Sequence, residues 1–192
     1  MLEKISEEHP QRNQLLDAVK GDLDGITQFI REKKIVSLSS RDDLKLIPTP
    51  EFMRGIYSVA GFHGPPPLEP TAEAQYRVTP IDPKRPEAKA ESKLREYNNF
   101  ELKWLTIHEA LPGHYIQFEQ ANDVQPVTRR LVRNLSANGA YVEGWARVHR
   151  RCDDLAGHSR FQSEISAQAS ESMVASHGQH YSGHSHANHE HE

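Results

Sequence analysis

Proline decides how this chain can be divided. Nine of its 12 prolines fall between residues 48 and 86. Each proline fixes φ and removes a backbone N–H, so no long regular helix fits that stretch. Two short strands are expected there, around Ile56–Ala60 and Gln75–Thr79, with the triple proline 65–67 extended between them. Phe52, Tyr57, Phe62 and Tyr76 give the segment apolar surface to pack with, which a bare linker lacks. Helices are therefore expected on either side of it.

On the N-terminal side, residues 11–34 read as an amphipathic helix. Leu15, Leu16, Val19, Leu23, Ile26 and Ile30 recur at steps of three and four. Gly21 and Gly25 weaken it, at a cost of ~1 kcal/mol each relative to Ala. On the other side, Pro86 suits a first helical turn, and the residues that follow it, as far as Leu111, are rich in helix formers. Leu94, Tyr97, Trp104, His108 and Leu111 fall along one side of that helix. A second helical block is expected through the 120s and 130s, with Leu131, Val132 and Leu135 apolar. A third begins near Ala137 and carries Tyr141, Val142 and Trp145. The basic set Arg129, Arg130 and Arg133 reads as a solvated helix face.

After about Leu155 the apolar spacing stops. Hydrophobic residues make up 36% of the 192, and the mean hydropathy is -0.74. Both are low for a compact domain, and a disordered, polar end would account for them. The expected organisation is a helical segment over 1–46, a catalytic segment over 47–155 and a disordered His-rich tail over 156–192, in a mainly α chain.

Charge and cysteine narrow the function. A formal charge of -4 makes nucleic acid a poor partner. One cysteine, Cys152, excludes an internal disulfide framework. No apolar run approaches the ~18 residues of a membrane span, and MLEKISEEHP lacks the apolar core of a secretory leader.

The strongest chemical signal is His108-Glu109-Ala110-Leu111-Pro112-Gly113-His114. Two imidazoles and a carboxylate within one short run suit a zinc site. The familiar H-E-x-x-H motif puts its histidines four apart on one helical face. Here they are six apart, which on a straight helix lands about 240° round. Pro112 and Gly113 offer a way out, because proline disturbs the preceding turn and glycine reaches unusual backbone angles. A kink or break between Leu111 and His114, with converging imidazoles, is the structural expectation. The alternative is a plain helix C-terminus, with a histidine near the dipole's negative end and Pro-Gly as the stop.

Two histidines need a third protein ligand. Glu143 is an acid inside the apolar stretch Ala140–Ala146, where an unpaired carboxylate is costly. It reads either as that ligand or as half of an ion pair with a nearby arginine.

The motif H-E-A-L-P-G-H, followed by Tyr141-Val142-Glu143-Gly144-Trp145-Ala146, resembles the bacterial domain-of-unknown-function family 885. Members of that family carry H-E-A-x-P-G-H and a downstream E-G-W-A. PEFMRGIYSVAGF, YRVTPID and ESKLREYN are similar to it as well, so the resemblance covers roughly Ile47 to Ala146. It implies a helical, zinc-metallopeptidase-like protein acting on a peptide or amide substrate. Carried over by position, His108, His114 and Glu143 are the zinc ligands and Glu109 is the general base. Tyr115 and Tyr141 lie near in sequence, but no oxyanion role is assigned to either.

The chain departs from that family in two ways. Members are several times longer than the matched segment, and after Ala146 the sequence turns polar. A truncated member, with a shifted reading frame after Ala146, is the expectation. Loss of the supporting helices would threaten activity. Two rival readings stand beside the hydrolase. One is a non-catalytic metal-binding protein using His177, His180, His184, His186, His189 and His191, since His-rich tracts bind divalent metals. The other is a helical interaction fragment without metal. His9, His63, His149 and His158 read as isolated surface or packing residues.

Overall fold

The structure is a computed structural model that describes residues 2–38 and 43–155. The tail expected to be disordered over 156–192, with its six histidines, lies outside the described residues. So do His158 and the side chain of His149.

A short helix α1 (Leu2–Ser6) precedes α2 (Leu15–Lys33). The apolar spacing of α2 does what it predicts: Leu15, Val19, Ile26 and Ile30 are buried. Fully burying such a side chain contributes about 1.5–3 kcal/mol. The helix ends at Lys34, whose left-handed φ of 53° lets its N–H return to the Ile30 carbonyl.

The proline-rich stretch, with the residues just before it, contributes a three-stranded sheet. Its strands are β1 (Leu44–Pro48), β2 (Ala60–His63) and β3 (Ala74–Val78), in the order β1-β3-β2. β1 runs parallel to β3 with Leu46 opposite Tyr76, and β2 runs antiparallel to it with Phe62 opposite Tyr76. β1 has no counterpart among the sequence expectations. The strand expected at 56–60 starts instead at Ala60. Tyr57 and Val59 stay outside it and use their carbonyls to hold Thr79, through its hydroxyl and its N–H. β3 fits the second expected strand to within a residue.

The single helix expected from Pro86 to Leu111 is divided in two, α3 (Glu87–Glu96) and α4 (Asn99–Glu109). Asn98 makes the division. Its side-chain oxygen accepts from the N–H groups of Phe100 and Glu101, and its amide donates to the Arg95 carbonyl. It therefore caps the new helix while closing the old one. Asn98 is fully buried, so those bonds are made away from water.

Three further helices follow: α5 (His114–Asn122), α6 (Val127–Leu135) and α7 (Gly139–Leu155). α6 overturns one expectation. Arg130 does not belong to a solvated face: it is buried, and donates to the Asn122 carbonyl at 2.8 Å. The apolar residues Val132 and Leu135 are instead 59% and 86% exposed. No helix among the described residues is long and apolar enough to cross a membrane.

The core sits between the sheet and the helices α2 and α4. One cluster joins Leu15 and Val19 to Tyr76, Val78, Tyr97 and Leu102. The next joins Ile26 and Ile30 to Ala74, Ile107, Leu111, Tyr115 and Ile116. Tyr76 is fully buried, and its hydroxyl lies 3.2 Å from Thr106 Oγ1, one turn before the end of α4. The last turn of α4 is thus fixed against the sheet before the chain reaches its histidine motif.

Candidate metal centre

α4 stops at Glu109, and α5 starts at His114. Between them, Ala110 and Gly113 leave helical geometry and the Leu111–Pro112 bond is cis. The chain here folds back very tightly. A Cβ added to Gly113 would lie 1.8 Å from the His108 carbonyl oxygen, so only glycine fits. The expected break between Leu111 and His114 is present, and it turns His114 back toward His108. The two imidazole centroids stand 4.7 Å apart, with their planes at 84°.

α7 brings in the third group. Glu143 Oε2 lies 3.1 Å from His108 Nε2, and Oε1 lies 3.6 Å from His114 Nε2. Among the described residues its ion-pair partners are these histidines, so the arginine alternative finds no support. One ligating atom from each of His108, His114 and Glu143 can be chosen so that all lie within 4.8 Å of one another. Two ligands on a tetrahedral zinc, with bonds of ~2.0–2.1 Å, stand roughly 3.3 Å apart. The carboxylate–imidazole separations match that spacing, and two nitrogens with one carboxylate are a donor set that zinc accepts. The residues present fit the metal.

The surroundings fix each group. Trp104 stacks on His108 at 5.4 Å. His114 is buried, and its Nδ1 lies 3.3 Å from Gln117 Oε1. Trp145 Nε1 donates to the carbonyls of both Pro112 and Gly113, at 3.0 and 3.1 Å. The tryptophan of E-G-W-A therefore clips α7 onto the turn between the two histidines. Glu143 remains half-exposed, at the mouth of the site.

Glu109 points from the end of α4 toward β2, where Oε2 accepts from the Phe62 N–H at 3.0 Å. Burial pushes its carboxyl above the ordinary range, and Glu143 adds to the rise. The charge of His114 and the Phe62 N–H pull the other way.

Glu109, both histidines and Glu143 line one open pocket of about 500 Å³. Its walls include Tyr57, Phe118, Val142, the edge strand β2 (Ala60–His63) and Gly64 just beyond it. A larger concavity of about 790 Å³ lies between α2 and β1. The His–His–Glu convergence lies in the smaller one, which is where chemistry is to be sought.

Sequence reasoning missed several of these residues. His63 is not isolated, since it lines the pocket, and burial together with Arg77 lowers its pKa. The N–H of Phe62 could not be anticipated, because backbone groups carry no sequence signal. Gln117 follows the histidine motif by three residues and Trp145 sits inside E-G-W-A, and their polar groups were the available clue. The tyrosines weighed for an oxyanion role are engaged elsewhere. Tyr115 donates to Asp43 at 2.6 Å, and the Tyr141 hydroxyl accepts from Arg133 at 2.5 Å.

Fold and site together define a mainly helical protein with a candidate metal centre built from three helices. The chain belongs to a bacterial family of proteins of unknown function, DUF885, whose model matches residues 3–147. The match extends well before Ile47, so the helical N-terminal segment is part of the family's sequence. Among solved structures, the chain is similar to a candidate lipoprotein of unknown function from Shewanella oneidensis. The two share 34% identity and a TM-score of 0.71, over 85% of this chain and 28% of the other. A candidate lipoprotein from Colwellia psychrerythraea shares the fold at 20% identity and a TM-score of 0.59, over 80% of this chain and 23% of the other. The chain thus spans less than a third of the length of either. A comparison with curated proteins gives no match.

Proposed function

We propose that this chain is the metal-binding segment of a zinc-dependent hydrolase acting on peptide or amide bonds. One observation carries the reading. His108, His114 and Glu143 come from three different helices, yet their ligating atoms converge within 4.8 Å, in a pocket that also holds a carboxylate, Glu109. A plain helix stop accounts for the Pro-Gly pair, but not for a third group arriving from α7.

Zinc bound there would supply Lewis acidity, polarising a scissile carbonyl and bringing the pKa of water toward ~7. The chain's own residues do the rest. His108, His114 and Glu143 would hold the ion, in a pocket that is open to a substrate. Glu109 is the base. The Phe62 N–H holds its Oε2, which leaves Oε1 to receive a proton from water and return it to the leaving amine. Tyr57 and Phe118 give part of the pocket wall an aromatic surface for a substrate to pack on.

The test is zinc stoichiometry on the full chain, followed by hydrolysis of a mixed peptide library. About one zinc per chain is expected, lost in Glu143→Ala and kept when the six tail histidines from His177 to His191 are all changed to Gln. The reverse pattern would move the metal to the tail and end the hydrolase reading. Glu109→Gln is expected to keep zinc and lose at least ~100-fold in rate, the lower end of what a general base contributes.

A further inference from the structure

The buried polar groups around the histidine motif include one to which the proposed chemistry gives no task. Gln117 is 4% exposed and lies three residues after His114 on α5. Its two amide atoms face in different directions. Nε2 donates to the Tyr141 carbonyl at 3.1 Å, and Oε1 lies 3.3 Å from His114 Nδ1. Tyr141 is two residues before Glu143, on the first turn of α7. One side chain therefore touches both helices that deliver the second and third candidate ligands.

For a neutral His114 ring the chemistry of these contacts has one solution. A backbone carbonyl can only accept, so the amide must present its NH₂ to Tyr141. That orientation aims Oε1 at His114. An amide oxygen can only accept as well, so the proton between them belongs to Nδ1 of His114. The neutral ring then carries its lone pair on Nε2, the atom that faces Glu143 at 3.6 Å. The Tyr141 carbonyl thus settles, through Gln117, which nitrogen of His114 is free to bind a metal. Histidine ligands commonly have their tautomer fixed in this way by an outer hydrogen bond.

We infer that Gln117 is a positioning residue. It locks His114 as the Nδ1–H tautomer and ties α5 to α7 at the spacing that lets Nε2 and the Glu143 carboxylate meet. The inference rests on the zinc reading for its purpose, but the tautomer is a property of the metal-free chain and is tested there. The two ideas can therefore fail separately.

The experiment is long-range proton–nitrogen correlation NMR on the full, metal-free chain with ¹⁵N-labelled histidine, at a pH where imidazoles are neutral. His114 is assigned by its disappearance in His114→Gln. The wild-type chain is expected to show His114 protonated at Nδ1. Gln117→Leu removes both contacts and is expected to move the ring toward the Nε2–H form. The same variant should weaken zinc binding by ~10–100-fold, the usual cost of losing an outer-shell partner. Gln117→Glu keeps an acceptor for Nδ1–H and should keep the tautomer, while losing the donor to Tyr141. An Nε2–H ring in the wild-type chain overturns the inference whatever the variants do. So does a Gln117→Leu chain with an unchanged tautomer, or with zinc affinity within twofold of wild type. If the tautomer follows Gln117 but the wild-type chain binds no zinc, the zinc reading falls and the positioning of His114 stands.

Discussion

Gly21 and Gly25 lie on the exposed side of α2, and a methyl group added to either meets nothing within 4 Å. Gly113 lies where α4 hands over to α5, and a methyl group there would sit 1.8 Å from the His108 carbonyl oxygen. The same residue type is dispensable in one region and required in the other. α2 is held by what its other face buries, with Val19 and Ile30 fully enclosed, so a flaw on its outer face lowers stability without changing shape. The turn from Glu109 to His114 is held by the closeness of backbone to backbone and by a few directed bonds, so shape is what a change there destroys. Stability and site geometry thus reside in different parts of the molecule.

The largest expected effect comes from filling the turn. Gly113→Ala must push His108 and His114 apart, because the obstructing atom is backbone and cannot swing away. Zinc binding should weaken by at least ~100-fold, the upper end of what loss of ligand support costs. Circular dichroism should show the helices of the core still formed, since α2, the sheet and the first turns of α4 do not depend on that position. Wild-type zinc affinity in this variant would show that the two regions are not distinct in the way described.

The opposite experiment sharpens the comparison from the other side. Gly21→Ala and Gly25→Ala each remove a flexible residue from an exposed helical position, for a gain of about 0.5–1 kcal/mol. Together they should raise Tm by several degrees, at roughly 2–4 °C per kcal/mol for a chain of this length. Zinc affinity should stay within twofold. A thermal melt and a chelator competition on the same sample check both halves.

The same division governs what could be read from the sequence. α2 was legible because its apolar spacing and its burial are the same fact. The break at Pro112-Gly113 was legible because i+6 spacing forbids a shared site on a straight helix, and a Glu inside an apolar run pointed to Glu143. Other features depend on partners distant in sequence. β1 pairs with a strand 30 residues away, Leu44 with Ala74, and five residues of LKLIP do not announce that. Asn98 sits in a run of good helix formers, and its role in closing α3 appears only once the Arg95 carbonyl is in reach. Arg130 looked solvated because charge usually is, whereas the Asn122 carbonyl gives it a buried acceptor. The edge strand's part in the site, through Phe62 N–H and His63, follows from the sheet packing beside α4, which no local pattern encodes.

The smallest expected effect concerns a third imperfection in α2, and its sign follows from the same logic. Asp22 is partly buried against α4, 3.8 Å from Lys103. Burial raises its pKa, and the Lys103 charge offsets this only in part. A carboxyl whose folded pKa lies above its unfolded value is easier to hold neutral than ionised in the folded state. Its favourable contribution is complete below the unfolded pKa, near 3.8, and is lost as pH rises through the folded pKa. At pH 7, above the unfolded value, that contribution is reduced and burying Asp22 carries a net cost, so Asp22→Asn should raise Tm slightly. The gain should shrink as pH falls toward 4, where the aspartate itself takes up a proton. The site should not register the change, because Asp22 does not line the pocket that holds Glu109 and Glu143. A lower Tm at pH 7 would mean that the Lys103 pair outweighs burial, and would make α2 dependent on charge where packing alone is now held responsible.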